Sequence, residues 1–157
     1  MGTIDIWVLI WVVELAICCG LVLWRGGPVE RTGAAIIFIA WLLSVVLQVR
    51  GNASPGIGVV LVDIGTLIAL SILSARSRRL WTMFAVACQL DGVAAHFADF
   101  FSTLGPFGYF TALGIWSGDA LIVCVISGVI GYNLRLRRDA RMEAAGVRLP
   151  TRLRVWR

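Results

Sequence analysis

Apolar residues in this chain come in long, almost unbroken runs rather than in the short alternation of a half-buried strand. Five runs occupy residues 4–24, 33–49, 57–74, 80–103 and 108–133. Each approaches the roughly 20 residues a helix needs to cross a hydrocarbon layer about 30 Å thick. The connectors R-G-G-P-V-E-R-T, R-G-N-A-S-P-G, A-R-S-R-R and L-G-P-F carry helix-breaking Gly and Pro or clustered charge, and none is long enough for a soluble domain. The pattern predicts an all-α integral membrane protein. Residues 1–133 form a bundle of five transmembrane helices with consecutive spans antiparallel, and residues 134–157 form an Arg-rich cytoplasmic helix extension and tail. The last span is expected to run on through L-R-L-R-R-D-A-R-M-E-A-A to Gly146 as its C-cap.

Composition removes the main alternative, because 59% apolar and 15% charged residues with a mean hydropathy of +0.89 exclude a water-soluble globule. Charge then orients the bundle. All 14 basic residues are Arg, and short cytoplasmic loops are where basic residues collect. With the N-terminus outside and the C-terminus inside, Arg25, Arg31, Arg76, Arg78, Arg79 and the eight arginines from Arg135 to Arg157 are inside, and only Arg50 is outside. Treating the fourth run as a surface helix would set the three-Arg connector opposite the tail. With five spans and the N-terminus outside, Trp24 and Trp81 fall at the inner boundary and Trp7 near the outer one. The first run has neither a basic n-region nor a small-residue cleavage site, which argues against a removable signal peptide. Five spans do not divide into two inverted halves, which argues against a transporter built on an internal repeat. Cys18, Cys19, Cys88 and Cys124 lie in apolar runs without C-x-x-C spacing and read as small buried hydrophobes. Basicity carried wholly by Arg points to a GC-rich bacterium and so to its inner (plasma) membrane, and on that ground the sequon at Asn52 is discounted.

Arg135, Arg137, Arg138, Arg141, Arg152 and Arg154 are expected to contact anionic lipid, at about 1 kcal/mol per residue near the surface. Nucleic acid is disfavoured, since no reading helix or RNA-binding motif accompanies the charge.

Ionisable residues inside the spans carry the functional signal, since each is costly near the bilayer centre. They are Glu14, Asp63, Asp91, His96, Asp99 and Asp119. At about 1.5 Å per residue, Glu14, Asp91 and Asp119 fall near the midplane, with Asp63, His96 and Asp99 in the outer half. On the fourth span Gln89, Asp91, His96 and Asp99 share an arc of about 160°, opposite Val86, Val93, Phe97 and Phe100. One use of the acids is interhelical glue, bonded to Ser44, Thr66, Ser71, Ser117 or Ser127. The others are a proton or cation path, a metal site, or docking to basic groups of another subunit. His96-x-x-Asp99, completed by Asp63 or Asp119, is a weak metal candidate; a single His without a thiolate motif suits neither structural zinc nor a bis-His haem. No metal and no cofactor are expected. No nucleophile stands beside His96, so enzymatic activity is disfavoured. Gly114-x-x-x-Gly118 lets a neighbouring helix approach, within the bundle or at a dimer seam. Trp41 and Trp116 are expected to pack inside.

Two functions fit. The first is an accessory or assembly subunit of a larger membrane complex, partnered by other membrane subunits or by itself. The second is a small oligomeric proton- or cation-coupled carrier or channel using the buried carboxylates.

Overall fold

The computed structural model describes residues 3–50, 57–98 and 114–145, and every described element is helical. The helices are α1 (Thr3–Arg25), α2 (Pro28–Arg50), α3 (Ile57–Ser77), α4 (Leu80–Ala98) and α5 (Ala120–Ala144). A π-helical turn, Gly114–Asp119, leads directly into α5. Three stretches, Pro28–Leu47, Ile57–Ser77 and Gly114–Ala144, are long and apolar enough to cross a membrane, as in a membrane protein.

Helix ends differ from the predicted runs where local chemistry extends them. Residues 28–32, read from sequence as a connector, form the first turn of α2. Pro28 opens that turn, where a missing N–H costs nothing, and the Arg31 amide bonds to the Gly27 carbonyl at 3.0 Å. Only Gly26 and Gly27 separate α1 from α2, so the two helices must reverse direction. The orphan carbonyls ending α1 are met by side chains: Arg31 Nη2 donates to Leu23 O and Asn133 Nδ2 to Arg25 O, each at 3.0 Å. Only Arg78 and Arg79 separate α3 from α4, and Arg78 has a φ of 50°, the left-handed conformation that ends a helix. Its amide bonds to Ser74 O at 2.9 Å, and Thr82 Oγ1 donates to Arg79 O at 2.6 Å to start α4. The last helix ends at Ala144 with Ala145 as its cap; Gly146, the cap expected from sequence, lies outside the described residues.

Packing closes the helices into a ring. Each packs on the next in chain order, and α5 returns to α1 while also touching α2. The core is a seam of Cys18, Val22, Ile37, Leu70, Leu121 and Val125. Facing outward are large apolar side chains such as Leu23, Leu61, Phe84 and Val123, at 69%, 62%, 65% and 64% exposure, a surface suited to lipid. The short reversals gather Arg25, Arg31, Arg76, Arg78 and Arg79 at one end of the ring. There α5 projects beyond its neighbours with Arg135, Arg137, Arg138 and Arg141 exposed.

Candidate functional site

Among the described residues, polar side chains from different helices meet in two places inside the ring. Toward the end opposite the arginines, Asp63 of α3 takes two partners from α4. His96 Nε2 lies 2.7 Å from Asp63 Oδ2, and Gln89 Nε2 donates to Asp63 Oδ1 at 3.2 Å. The side chains of His96 and Asp63 are 2% and 13% exposed, so this hydrogen-bonded pair is internal. Gln89 and His96 share a face because seven residues make nearly two full turns.

Beside this group is a cavity of about 230 Å³ bounded by residues of all five helices and the π turn, among them Trp11, Trp41, Asp63, Gln89, Ser117 and Asp119. The π turn shapes one wall. Its wider backbone winding sets Gly114, Ser117, Gly118 and Asp119 along the cavity, and such turns recur at functional sites. Gly114 is packed against the Trp11 ring: a Cβ there would lie 2.8 Å from Trp11 Cζ2. Gly92 of α4 similarly leaves room for Ser117. Asp119 Oδ1 and Ser117 Oγ are shielded from solvent and have no hydrogen-bond partner among the described residues. Glu14, half-buried on α1, brings its carboxyl near enough to Asp119 for the two to interact.

At the Arg-rich end a second cluster joins three elements. Glu30, in the first turn of α2, is fully buried, and its Oε1 accepts from Arg79 Nη1 and, at 3.1 Å, from Trp81 Nε1. Arg79 also lies over the Tyr132 ring, 5.8 Å from its centroid. Gly33 and Gly128 make space for Trp81, since a Cβ on either would come within 2.8 Å of the indole.

The sequence-predicted residues thus separate. Asp63 and His96 are paired, and Glu14 and Asp119 face one another. Asp91 does not join them. The arc assigned to it with Gln89 and His96 is wider than the inward face of α4: Gln89 and His96 are buried, Asp91 is exposed, and Val93, placed outward by sequence, is buried at 8%. Asp99 lies outside the described residues, as do Arg152 and Arg154. Among the described residues no three of His, Cys, Asp or Glu are grouped to hold a metal ion. Gly114 serves close packing, whereas Gly118 faces open space. Trp41 lines the cavity, but Trp116 is 42% exposed rather than inside. Thr66, Ser71 and Ser127, offered as partners for the acids, bond instead to Val62, Leu67 and Cys124 carbonyls of their own helices. All four cysteines are free.

Sequence reasoning missed the Glu30 cluster. Pro28 and Glu30 together are a helix-start signal that would have moved Glu30 from loop to helix. Nothing local signals its burial. Comparison with protein-family models, curated proteins and solved structures finds no match to this chain.

Proposed function

We propose that the chain is a five-span subunit of a larger membrane assembly, N-terminus outside and C-terminus inside, in a bacterial inner membrane. The carrying observation is Asp91. It is exposed at the centre of a stripe on α4 made by Phe84, Ala87, Leu90, Ala94 and Phe97, all exposed. That stripe follows helical spacing and lies about 17 Å along the helix from Leu80, roughly mid-membrane. A charged carboxylate facing lipid at that depth costs at least about 2.5 kcal/mol. Ala87 and Ala94, one turn to either side, leave room for another helix to approach closely. The face therefore suits a helix of another subunit that brings a basic or hydrogen-bond-donating group to Asp91. Arg135, Arg137, Arg138 and Arg141 suit anionic lipid at the cytoplasmic surface.

Mass spectrometry of the intact assembly, released from the membrane in mild detergent, tests this. The wild-type chain should fly with a partner, and Asp91→Leu should release it while the bundle still accumulates. If Asp91 faced lipid alone, Asp91→Leu would raise stability and leave the species unchanged, and the proposal would fail. Orientation has its own test: reporters at residue 157 and within residues 51–55 should lie on opposite sides.

The cavity and its acids favour a second reading, a proton- or cation-coupled carrier using Glu14, Asp63 and Asp119. Cation-dependent proton movement in vesicles containing the purified chain alone would support it over the subunit reading.

A further inference from the structure

We infer that the cavity beside the π turn binds a small aromatic organic cation, its charge at Asp119 and its ring against the walls formed by Trp11 and Trp41. The inference rests on the cavity and not on the docking of Asp91, so the two can fail separately.

Charge decides the sign of the ligand. Among the described residues, the ionisable side chains lining the cavity are Asp63 and Asp119, with Glu14 near enough to Asp119 to interact with it, and none of the lining side chains is basic. Asp63 is already engaged by His96 and Gln89. Asp119 is engaged only in part: its carboxyl interacts with Glu14, but its buried Oδ1, like the neighbouring Ser117 Oγ, has no partner among the described residues. A carboxylate oxygen shielded from solvent and left without a partner is costly, and the positive charge of an arriving cation would offset that cost even without donating a hydrogen bond.

The walls decide the kind of cation. Leu15, Ile37, Val45, Val59, Leu121 and Ile122 make much of the remaining lining apolar, with Ser44, Thr66 and Gln89 as its other polar side chains, a surface better suited to an organic cation than to a hydrated metal ion. Organic ammonium ions are held differently, by the π faces of aromatic rings together with a few placed polar atoms. Trp11 and Trp41 line the cavity from α1 and α2 and are the aromatic side chains available for this, and Trp11 packs against Gly114. The size is compatible. An apolar cavity of about 150 Å³ accepts benzene, so 230 Å³ has space for one ring bearing a compact ammonium group.

Phenyltrimethylammonium is a suitable probe, with tert-butylbenzene as its neutral isostere. The full chain in phosphatidylcholine nanodiscs, free of anionic lipid, is titrated calorimetrically against empty discs. Expected are saturable binding at one site per chain and at least tenfold weaker binding of tert-butylbenzene. Asp119→Asn should weaken phenyltrimethylammonium at least tenfold, and Asp139→Asn, on the exposed helix extension, should not. Absence of saturable binding overturns the inference. Equal affinity for the charged and neutral probes also overturns it, because the cavity would then be merely apolar. That comparison uses the wild-type chain and decides the matter even if Asp119→Asn does not fold.

Discussion

Glu30→Leu removes the acceptor that ties the first turn of α2 to the α3–α4 reversal and to the start of α4. The wild-type carboxylate is 0% exposed, and its Oε1 serves both Arg79 and Trp81. Deleting one member of a buried ion pair costs about 3–5 kcal/mol, because the remaining charge is stranded. A stranded indole N–H adds about 1–3 kcal/mol. Two features reduce the sum. Arg79 is at the edge of the cluster with a side chain 10% exposed, so it can swing toward water or lipid headgroups. Leu also fills part of the vacated volume. A net loss of about 3 kcal/mol is expected from the lower end of these ranges. Glu30→Gln keeps the shape and an acceptor but loses the charge, and should cost about 1 kcal/mol. Unfolding in mixed micelles of increasing dodecyl sulfate content, followed by circular dichroism, measures both. Raising the salt concentration should alter the difference little, since a buried pair is weakly screened. A Glu30→Leu protein as stable as the wild type would refute the reasoning, for Arg79 would then lose nothing by leaving its partner.

His96→Phe should destabilise the bundle by about 1–3 kcal/mol by depriving Asp63 of a partner, and Asp63→Leu combined with His96→Phe should recover most of that loss; a double variant worse than the single would contradict it. Gly128→Ala, whose Cβ would lie 2.8 Å from Trp81 Nε1, should displace the indole from Glu30. Its cost, about 1–3 kcal/mol, should be less than additive with Glu30→Gln, as a double-mutant cycle would show. Arg78→Gly should stabilise by about 0.5–1 kcal/mol, since a left-handed residue with a Cβ is strained and glycine is not; unchanged or lower stability in the same titration would count against that turn geometry.

Much of the architecture follows from one-dimensional information. Length and apolarity of the runs specify helices suited to a membrane, and Gly26, Gly27 and Pro28 mark a reversal whatever the neighbours do. Two short reversals then suffice to gather the arginines at one end. Depth along each helix was legible too, because rise per residue is constant, and this is why Asp63 and His96 were placed in one layer. Rotation about each helix axis was not. Gln89 and Asp91 lie about 200° apart around α4, so a polar residue was bound to face outward on one side or the other. Sequence periodicity treats the two sides alike. Packing of α4 against α3 and α5 chose the side, turning Gln89 and His96 toward Asp63 and leaving Asp91 on the surface. Burial of Glu30 likewise arises only where α2, the α3–α4 turn and Trp81 converge. That convergence depends on glycines in two other helical turns, Gly33 and Gly128, leaving space for one indole. Helix identity and depth are properties of a segment, whereas partnership and burial belong to several segments at once, and only the tertiary structure could decide them.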